Sequence, residues 1–453
     1  MRIVIEGAGE VGSHLAKMLR AEAGAVTVID DDEKRLSAIA EISDVHTVLG
    51  NPSSLSVLRK ADVGKADLFI AVYPAASQEV NIVSALLAKK LGASKVVARI
   101  NDEDFLSAEN KLIFKDMGIE LMFYPEKSAA DEIVAALRHN SSSETLDFAR
   151  GKLQITTFRL DEESPMLDLK LGEFIKTVKP EDLQQFRVIA ISREGKAMIP
   201  KLDTKFRFGD QVFTISTREG VNLVFNYFGK SNDTARNVII LGGSAIAEMV
   251  ARTLSSRDVR VKIIEKDHDR CVELSEKLPE NVSIIFGDGR NSDLLYDEGI
   301  QDADAFVALM DQDESNVLAC VVAKKFGVRR TIAKVENFEY ITLAEEMGVD
   351  SVINKKLITA GRIFKFTLSG RARFVRYMTS TDAEIVEYTA APGSAITRSP
   401  IRDLDFPSNA IICGVVRGQE SMIAVGDTHI EAYDRVTIFA GTESIHEIDR
   451  LFK

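Results

Sequence analysis

Two stretches of this chain carry the same landmarks in the same order, and that repetition constrains the fold more than any single motif. The first opens RIVIEGAGEVG, an apolar run closed by Gly7, Gly9 and Gly12; the second opens NVIILGGSAIA, with Gly242 and Gly243 on the same turn. An acid closes the next apolar run in each, Asp30 after VTVI and Glu265 after VKII. Glycine follows a third run, as Gly50-Asn51 and Gly287-Asp288. DLFIAV aligns with DAFVAL, EVNIVSALLAKKLG with ESNVLACVVAKKFG, and VARI with IAKV, at an offset that stays near the 235 residues separating Gly7 from Gly242. Such a period is far too long for a solenoid, so it reads as tandem duplication of a whole module. Short β-branched runs alternating with amphipathic stretches predict βαβ units. The expected class is α/β, with two tandem Rossmann-type, doubly wound parallel sheets, each followed by a small α+β domain.

Breaks in periodicity set the boundaries. The first Rossmann domain is expected at 1–138. HNSSSETLDFARGK (139–152) has neither period and reads as a linker at the head of a β-rich domain, 139–228, with strands LQITTFRL, FRVIAIS and QVFTIS and a helical stretch after Pro165. NYFGKSNDTAR is the second linker, the second Rossmann domain runs 236–368, and 369–453 is the last β-rich piece. There AIICGVVRGQESMIAVGDTHIEAYDRVTIFA repeats RVIAISREGKAMIPKLDTKFRFGDQVFTIS, setting Arg417 over Arg193 and Asp434 over Asp210.

At 453 residues the chain is too long for one core. Its net charge of −12 argues against nucleic acid, whose phosphates need a basic surface. No apolar run approaches the ~18–20 residues of a membrane span, and MRIVIEG is too short for a signal peptide. Cys271, Cys320 and Cys413 stand singly, which suits a reducing compartment and neither zinc nor disulfides. These features suggest a soluble, cytoplasmic-type protein. A dehydrogenase needs a proton donor beside the nicotinamide, and the β-rich domains carry almost no histidine. There is no G-x-x-x-x-G-K-[ST], so no P-loop hydrolysis of ATP. Cys271 and Cys320 fit core positions, and His14, after Gly12, fits an exposed helix face better than a phosphate contact.

In the first loop Gly7 permits the tight turn, Gly9 lets backbone approach a pyrophosphate, and Gly12 allows helix and strand to pack closely. A helix beginning near Glu10 points free N–H groups and its positive end at the anion. Asp30, at the tip of the second strand, suits ribose hydroxyls and disfavours a 2′-phosphate, leaving NAD, ADP and ATP open. Arg99 is a candidate phosphate ligand by its bidentate fork; a surface ion pair is the alternative. In the second loop Ser244 replaces the middle glycine and Ala247 the last, Glu265 keeps the carboxylate, and Lys334 replaces the arginine. Residues 351–381 hold seven basic side chains, Lys355, Lys356, Arg362, Lys365, Arg371, Arg373 and Arg376, and a helical stripe of Leu357, Gly361, Phe364 and Leu368.

Over essentially its full length the chain resembles the TrkA family, the cytosolic regulatory subunits of bacterial Trk potassium uptake, built as two tandem RCK units. The resemblance rests on GAGEVG, VID30, DLFIAV…EVN…VARI, their partners GGSAIA, IIE265, FGDGR, DAFVAL…ESN and IAKV, and the closing PSNAIICGVVRGQESMIAVGDTHIEAYDRVTIF. It implies no catalysis: NAD(H) or ADP/ATP binds at the sheet edges, and a homo-oligomeric, tetrameric gating ring acts on a TrkH-like membrane potassium subunit, which holds the ring to the inner face of the membrane. By position it implies site one at Gly7, Ala8, Gly9, Glu10, Val11, Gly12, Asp30, Asn51, Val72, Tyr73 and Arg99. Site two falls at Gly242, Gly243, Ser244, Ala245, Ile246, Glu265, Asp288, Leu309 and Lys334. Tyr73 and Met310 stand where members often have threonine, which leaves the adenosine half the better supported. Two other readings compete: an NAD-dependent oxidoreductase, and a redox or nucleotide sensor of another ion carrier.

Overall fold

The computed structural model describes all residues except 23, 43, 74–77, 139–143, 150, 231, 233, 365, 367, 369–371, 379, 380 and 382. The Ser-rich head of the first linker and Lys365 and Arg371 of the basic run therefore lie outside the described residues, as does the side chain of Arg376. The chain divides into two compact units, Met1–Ser128 with Lys355–Leu368, and Ala129–Asn354 with Ser369–Lys453.

The first unit is built on six parallel strands: β1 (Arg2–Glu6), β2 (Ala25–Asp30), β3 (His46–Leu49), β4 (Leu68–Ala71), β5 (Lys95–Arg99) and β6 (Leu121–Phe123), in the order β3-β2-β1-β4-β5-β6. The order reverses between β1 and β4, and a crevice opens at such a switch point, outside the strand C-termini. Ile3, Val4 and Ile5 are fully buried because helices cover both faces of a parallel sheet. The connecting helices are α1 (Glu10–Glu22), α2 (Glu33–Ile42), α3 (Leu55–Lys60), α4 (Gln78–Leu91) and α5 (Ala108–Asp116), and α6 (Pro125–Ala136) leaves β6.

In the second unit β7 (Glu144–Phe148), β8 (Leu153–Arg159), β9 (Phe186–Arg193), β10 (Lys196–Met198) and β11 (Gln211–Thr217) form an antiparallel sheet ordered β10-β9-β11-β8-β7, with α7 (Leu171–Thr177) and α8 (Val221–Tyr227). Here the linker expectation fails. ETLDF is a strand, paired with β8 from Glu144↔Thr157 to Phe148↔Leu153, and Phe148 is buried while its neighbour Asp147 is exposed. One short edge strand behind a serine run offers too few alternations to reveal its period.

The second Rossmann sheet repeats the first: β12 (Asn237–Leu241), β13 (Arg260–Glu265), β14 (Val282–Phe286), β15 (Ala305–Ala308), β16 (Arg330–Lys334) and β17 (Ser351–Ile353), ordered β14-β13-β12-β15-β16-β17. Even the register is kept, with Glu6↔Ala71 matched by Leu241↔Ala308. Its helices are α9 (Ala245–Ser255), α10 (His268–Lys277), α11 (Ser292–Asp297), α12 (Asp313–Lys325) and α13 (Phe338–Glu346). The helix that follows, α14 (Lys355–Phe364), belongs to the first unit, where it packs on α1. It ends at Phe364, so Leu368 of the expected stripe lies beyond it.

A last antiparallel sheet, β18 (Ala372–Tyr377), β19 (Ala383–Thr389), β20 (Ala410–Arg417), β21 (Glu420–Ile423) and β22 (Arg435–Gly441), closes with α15 (Ile445–Leu451). Its order is β18-β19-β22-β20-β21. The two antiparallel sheets share one core, in which Leu153, Ile155, Phe213 and Ile215 meet Ile385, Cys413, Val416 and Phe439. The aligned pairs of the repeat are ion pairs in both sheets. Arg193 donates to both oxygens of Asp210 at 2.8 Å, and Arg417 donates to Asp434 at 2.8–3.0 Å. Both aspartates are buried, where a paired charge is tolerated and a lone one is not.

Candidate nucleotide-binding sites

In each Rossmann half the turn after the first strand meets a carboxylate from the second. Gly7 adopts φ +99°, and a Cβ there would stand 2.7 Å from the backbone nitrogen of Tyr73. A Cβ on Gly12 would reach 1.8 Å from the Gly7 carbonyl oxygen, so α1 lies directly on the loop. Gly9 has open space in front of it. The Ala8 N–H donates to Asp30 Oδ2 at 2.6 Å and the Asp32 N–H to Oδ1 at 2.9 Å. Asp30 is fully buried. A carboxylate has about four lone-pair sites, and these two bonds use two of them. Glu10 and Val11 stand at the start of α1, where helix N–H groups are left without intrahelical partners.

The remaining site-one residues stand at or just past the ends of β3, β4 and β5. Val72 is buried and its N–H donates to the Glu6 carbonyl. Tyr73 is clamped by Asn81, whose Oδ1 accepts the Tyr73 N–H at 2.8 Å while its Nδ2 donates back at 3.2 Å. The Tyr73 hydroxyl donates to Asp31 at 2.6 Å; partial burial first, and then that bond, hold it above the ordinary phenol range. Asn51 follows β3 and caps its own turn through Ser53 N–H. Arg99, at the tip of β5, pairs with Glu126 at 3.3 Å. His14 is half-buried rather than exposed, because α14 covers that face of α1. Burial first, then the nearby Lys356 and Lys17, push it down to about 4.

Site two reproduces the turn with different chemistry. Gly242 has φ +94°, and a Cβ there would stand 3.0 Å from Met310 N. The Gly243 N–H donates to Glu265 Oε2 at 2.5 Å and the Asp267 N–H to Oε1 at 2.8 Å. Ser244 caps α9, its Oγ accepting from Ala247 N–H at 3.4 Å, so its side chain turns back toward its own helix. Ala245 follows it at the head of α9, and Ile246 and Leu309 are buried. Asn316 clamps Met310 as Asn81 clamps Tyr73, and also donates to the carbonyl of buried Lys334 at 2.9 Å. Asp288 pairs with Arg290 at 2.7 Å, a bond that holds its carboxyl down at about 2. Gly242, Gly243, Ser244, Glu265, Asp288 and Leu309 line a cavity of about 450 Å³.

Five residues escaped the motif reading. Arg270 lines that cavity, donating from Nε to the Gly243 carbonyl at 2.7 Å and pairing with Glu248 at 3.0 Å. Its counterpart Arg35 lies 3.9 Å from Asp30. An arginine five residues after each carboxylate was a visible signal. The Asn81 and Asn316 clamps were likewise visible as EVN and ESN. Glu6 had no repeat to announce it, since Leu241 stands in its place. It is fully buried, accepts a bond from Ser84 Oγ, and its Oε1 has no hydrogen-bond partner. Burial, added to by Asp30 nearby and only partly offset by Ser84, pushes its carboxyl up to about 8.

The three cysteines are buried, and burial pushes the Cys413 thiol up to about 12. Among the described residues no group of histidine, cysteine and carboxylate side chains could hold a metal.

Comparison with known proteins agrees with the duplicated plan. The TrkA-N domain model matches residues 3–125 and 238–355, and the TrkA-C domain model 155–229 and 385–453. A Trk system potassium uptake protein TrkA homolog of Archaeoglobus fulgidus is 34% identical over 456 residues, covering all of both chains. The Trk system potassium uptake protein TrkA of Halomonas elongata is 31% identical, covering 100% of this chain and 99% of that one. Among solved structures, the GsuK channel bound to NAD shares the fold at a TM-score of 0.62 and 16% identity, covering 100% of this chain and 78% of that one.

Proposed function

We infer the function of a chain that belongs to the TrkA family of Trk-system potassium uptake proteins, with TrkA-N and TrkA-C domains in tandem: it is a nucleotide-sensing gating subunit. It is a regulatory protein and not an enzyme. The observation that carries the reading is the doubled cradle, a loop N–H on the second-strand carboxylate at the same register in both halves.

NAD(H) or ADP/ATP is the ligand class. Asp30 and Glu265 would take ribose hydroxyls, and the N-terminal turns of α1 and α9 the phosphates. The NAD-bound channel of the same fold supports this choice. No bond is made or broken. Regulation needs only that the nucleotide bind one arrangement of the protein more tightly than another.

The partner is a TrkH-like membrane subunit that conducts potassium, with this chain on its cytoplasmic side; the relatives' names support it, and no described helix is long and apolar enough to cross a membrane itself. Self-assembly, into a tetrameric ring by family resemblance, is supported by exposed apolar residues that the duplication repeats. Val83, Ile113 and Met117 in the first half correspond to Leu318, Leu343 and Met347 in the second, and each is at least 39% exposed.

The test is deletion of the gene with growth measured across external potassium concentrations. A defect confined to low potassium, cured by added potassium or by re-expression, is expected. Growth indifferent to potassium refutes the assignment.

A further inference from the structure

We propose that Lys356, on the helix supplied by the second half of the sequence, is a phosphate ligand of site one and reads how many phosphates the nucleotide carries. The proposal rests on site one being a nucleotide site. Lys356, Ala360 and Ile363 share one face of α14, and Ala360 and Ile363 are fully buried. That burial fixes the direction of the lysine stem. The side chain is only 15% exposed, and its ammonium lies 3.6 Å from Glu10 Oε2. Glu10 is the first residue of α1, the helix whose N-terminal turn would face the phosphates. His14, one turn further along α1, senses the same cation.

Glu10 is itself 76% exposed, and an exposed ion pair contributes little to stability. Its carboxylate therefore reads as a stand-in, a single negative charge at the mouth of the phosphate loop that a more highly charged group displaces. At 3.6 Å the pair with Glu10 is too long for a hydrogen bond, whereas a phosphate can accept a charge-assisted one. A terminal phosphate lies further from the ribose than the first, and on this proposal it is the one that Lys356 takes. The role is not duplicated. The position of α6 that corresponds to Lys356 holds Glu126, an acid that pairs with Arg99 at 3.3 Å. The ligand class is a nucleoside di- or triphosphate, and binding would tie α1 to a helix encoded more than two hundred residues later.

The experiment is calorimetric titration of the full-length protein with adenosine, ADP and ATP. The component lost in Asp30→Ala defines site one. Lys356→Ala is expected to weaken that component roughly ten- to a hundredfold for ATP, less for ADP, and not for adenosine. Lys356→Arg should restore it, and Glu10→Gln, which removes the carboxylate charge 3.6 Å from the ammonium, should tighten ATP. Equal losses for all three ligands would make Lys356 a packing residue and overturn the proposal, as would no loss. If Lys356→Ala does not fold, an unchanged ATP affinity in Glu10→Gln overturns it alone. Titrations that Asp30→Ala leaves untouched overturn the site-one reading itself, and that pattern appears before Lys356 is altered.

Discussion

The two nucleotide cradles share their backbone and differ in their charges. Both keep the left-handed glycine, the loop N–H on a carboxylate, and the asparagine clamp behind the fourth strand. Beneath the first loop lies a buried carboxyl, Glu6; beneath the second lies Leu241. At the mouth of the first stands Gly9 with nothing in front of it; at the second, Ser244 folds onto its own helix while Arg270 grips the loop carbonyl. Whatever fixes the path of the chain has survived duplication. The residues beneath each loop and at its mouth have diverged, so on the proposed reading the sites are expected to answer different nucleotides or the same one differently.

The comparison breaks most completely at Gly12. Valine there places its Cβ 1.8 Å from a carbonyl oxygen, a clash expected to cost about 3 kcal/mol or more. Site two, whose loop already accommodates Ala247, should keep its ligand. Calorimetry should show the nucleotide stoichiometry halved, and full stoichiometry would contradict the assignment of site one.

Glu6 gives the next effect, through pH. Its folded-state value, about 8, lies above its ordinary 4.5, so between these the folded chain binds the extra proton. Stability from this group is complete below 4.5 and falls as pH rises to about 8, at most by about 1.4 kcal/mol per unit. Glu6→Leu, which installs the residue of site two, should flatten that part of the stability profile and stabilise the protein above pH 8; Ser84 keeps its bond to the Val80 carbonyl. Urea denaturation midpoints across the window read this directly, and parallel profiles for both proteins would count against it.

The smallest effect sharpens the comparison. Ser244→Gly removes a cap and should cost only a few tenths of a kcal/mol, visible in thermal unfolding, while opening the second loop to closer phosphate approach. Tighter binding at site two, measured in a Gly12→Val background, is the expected result.

Much of this was legible in the residues. Gly7, Gly12 and Gly242 announce backbone that tolerates no side chain, and their spacing to Asp30 and Glu265 fixes the strand–turn–helix around them. Arg193 and Asp210 were matched to Arg417 and Asp434 before any contact between them was visible. Other features could not be read. The stripe on α14 says that one face is buried but not which body buries it, since amphipathicity carries no address. Glu6 looks like one more strand residue until the sheet closes over it. Arg270 shows in the repeat, but its grip on the loop needs α10 in place.

The placement of α14 also sets a clock on biosynthesis. The first unit ends its continuous stretch at Ser128 and is completed by Lys355, 227 residues later. At bacterial-scale elongation of ~5–20 residues per second, the ribosome needs roughly ten to forty-five seconds to make that missing piece. Until then α1 displays the surface that α14 covers, and the nascent first domain carries an open, sticky flank. A fragment that stops before Lys355 would keep that flank permanently, which makes the two halves of the gene unequal as folding units even though they are near-copies as sequences.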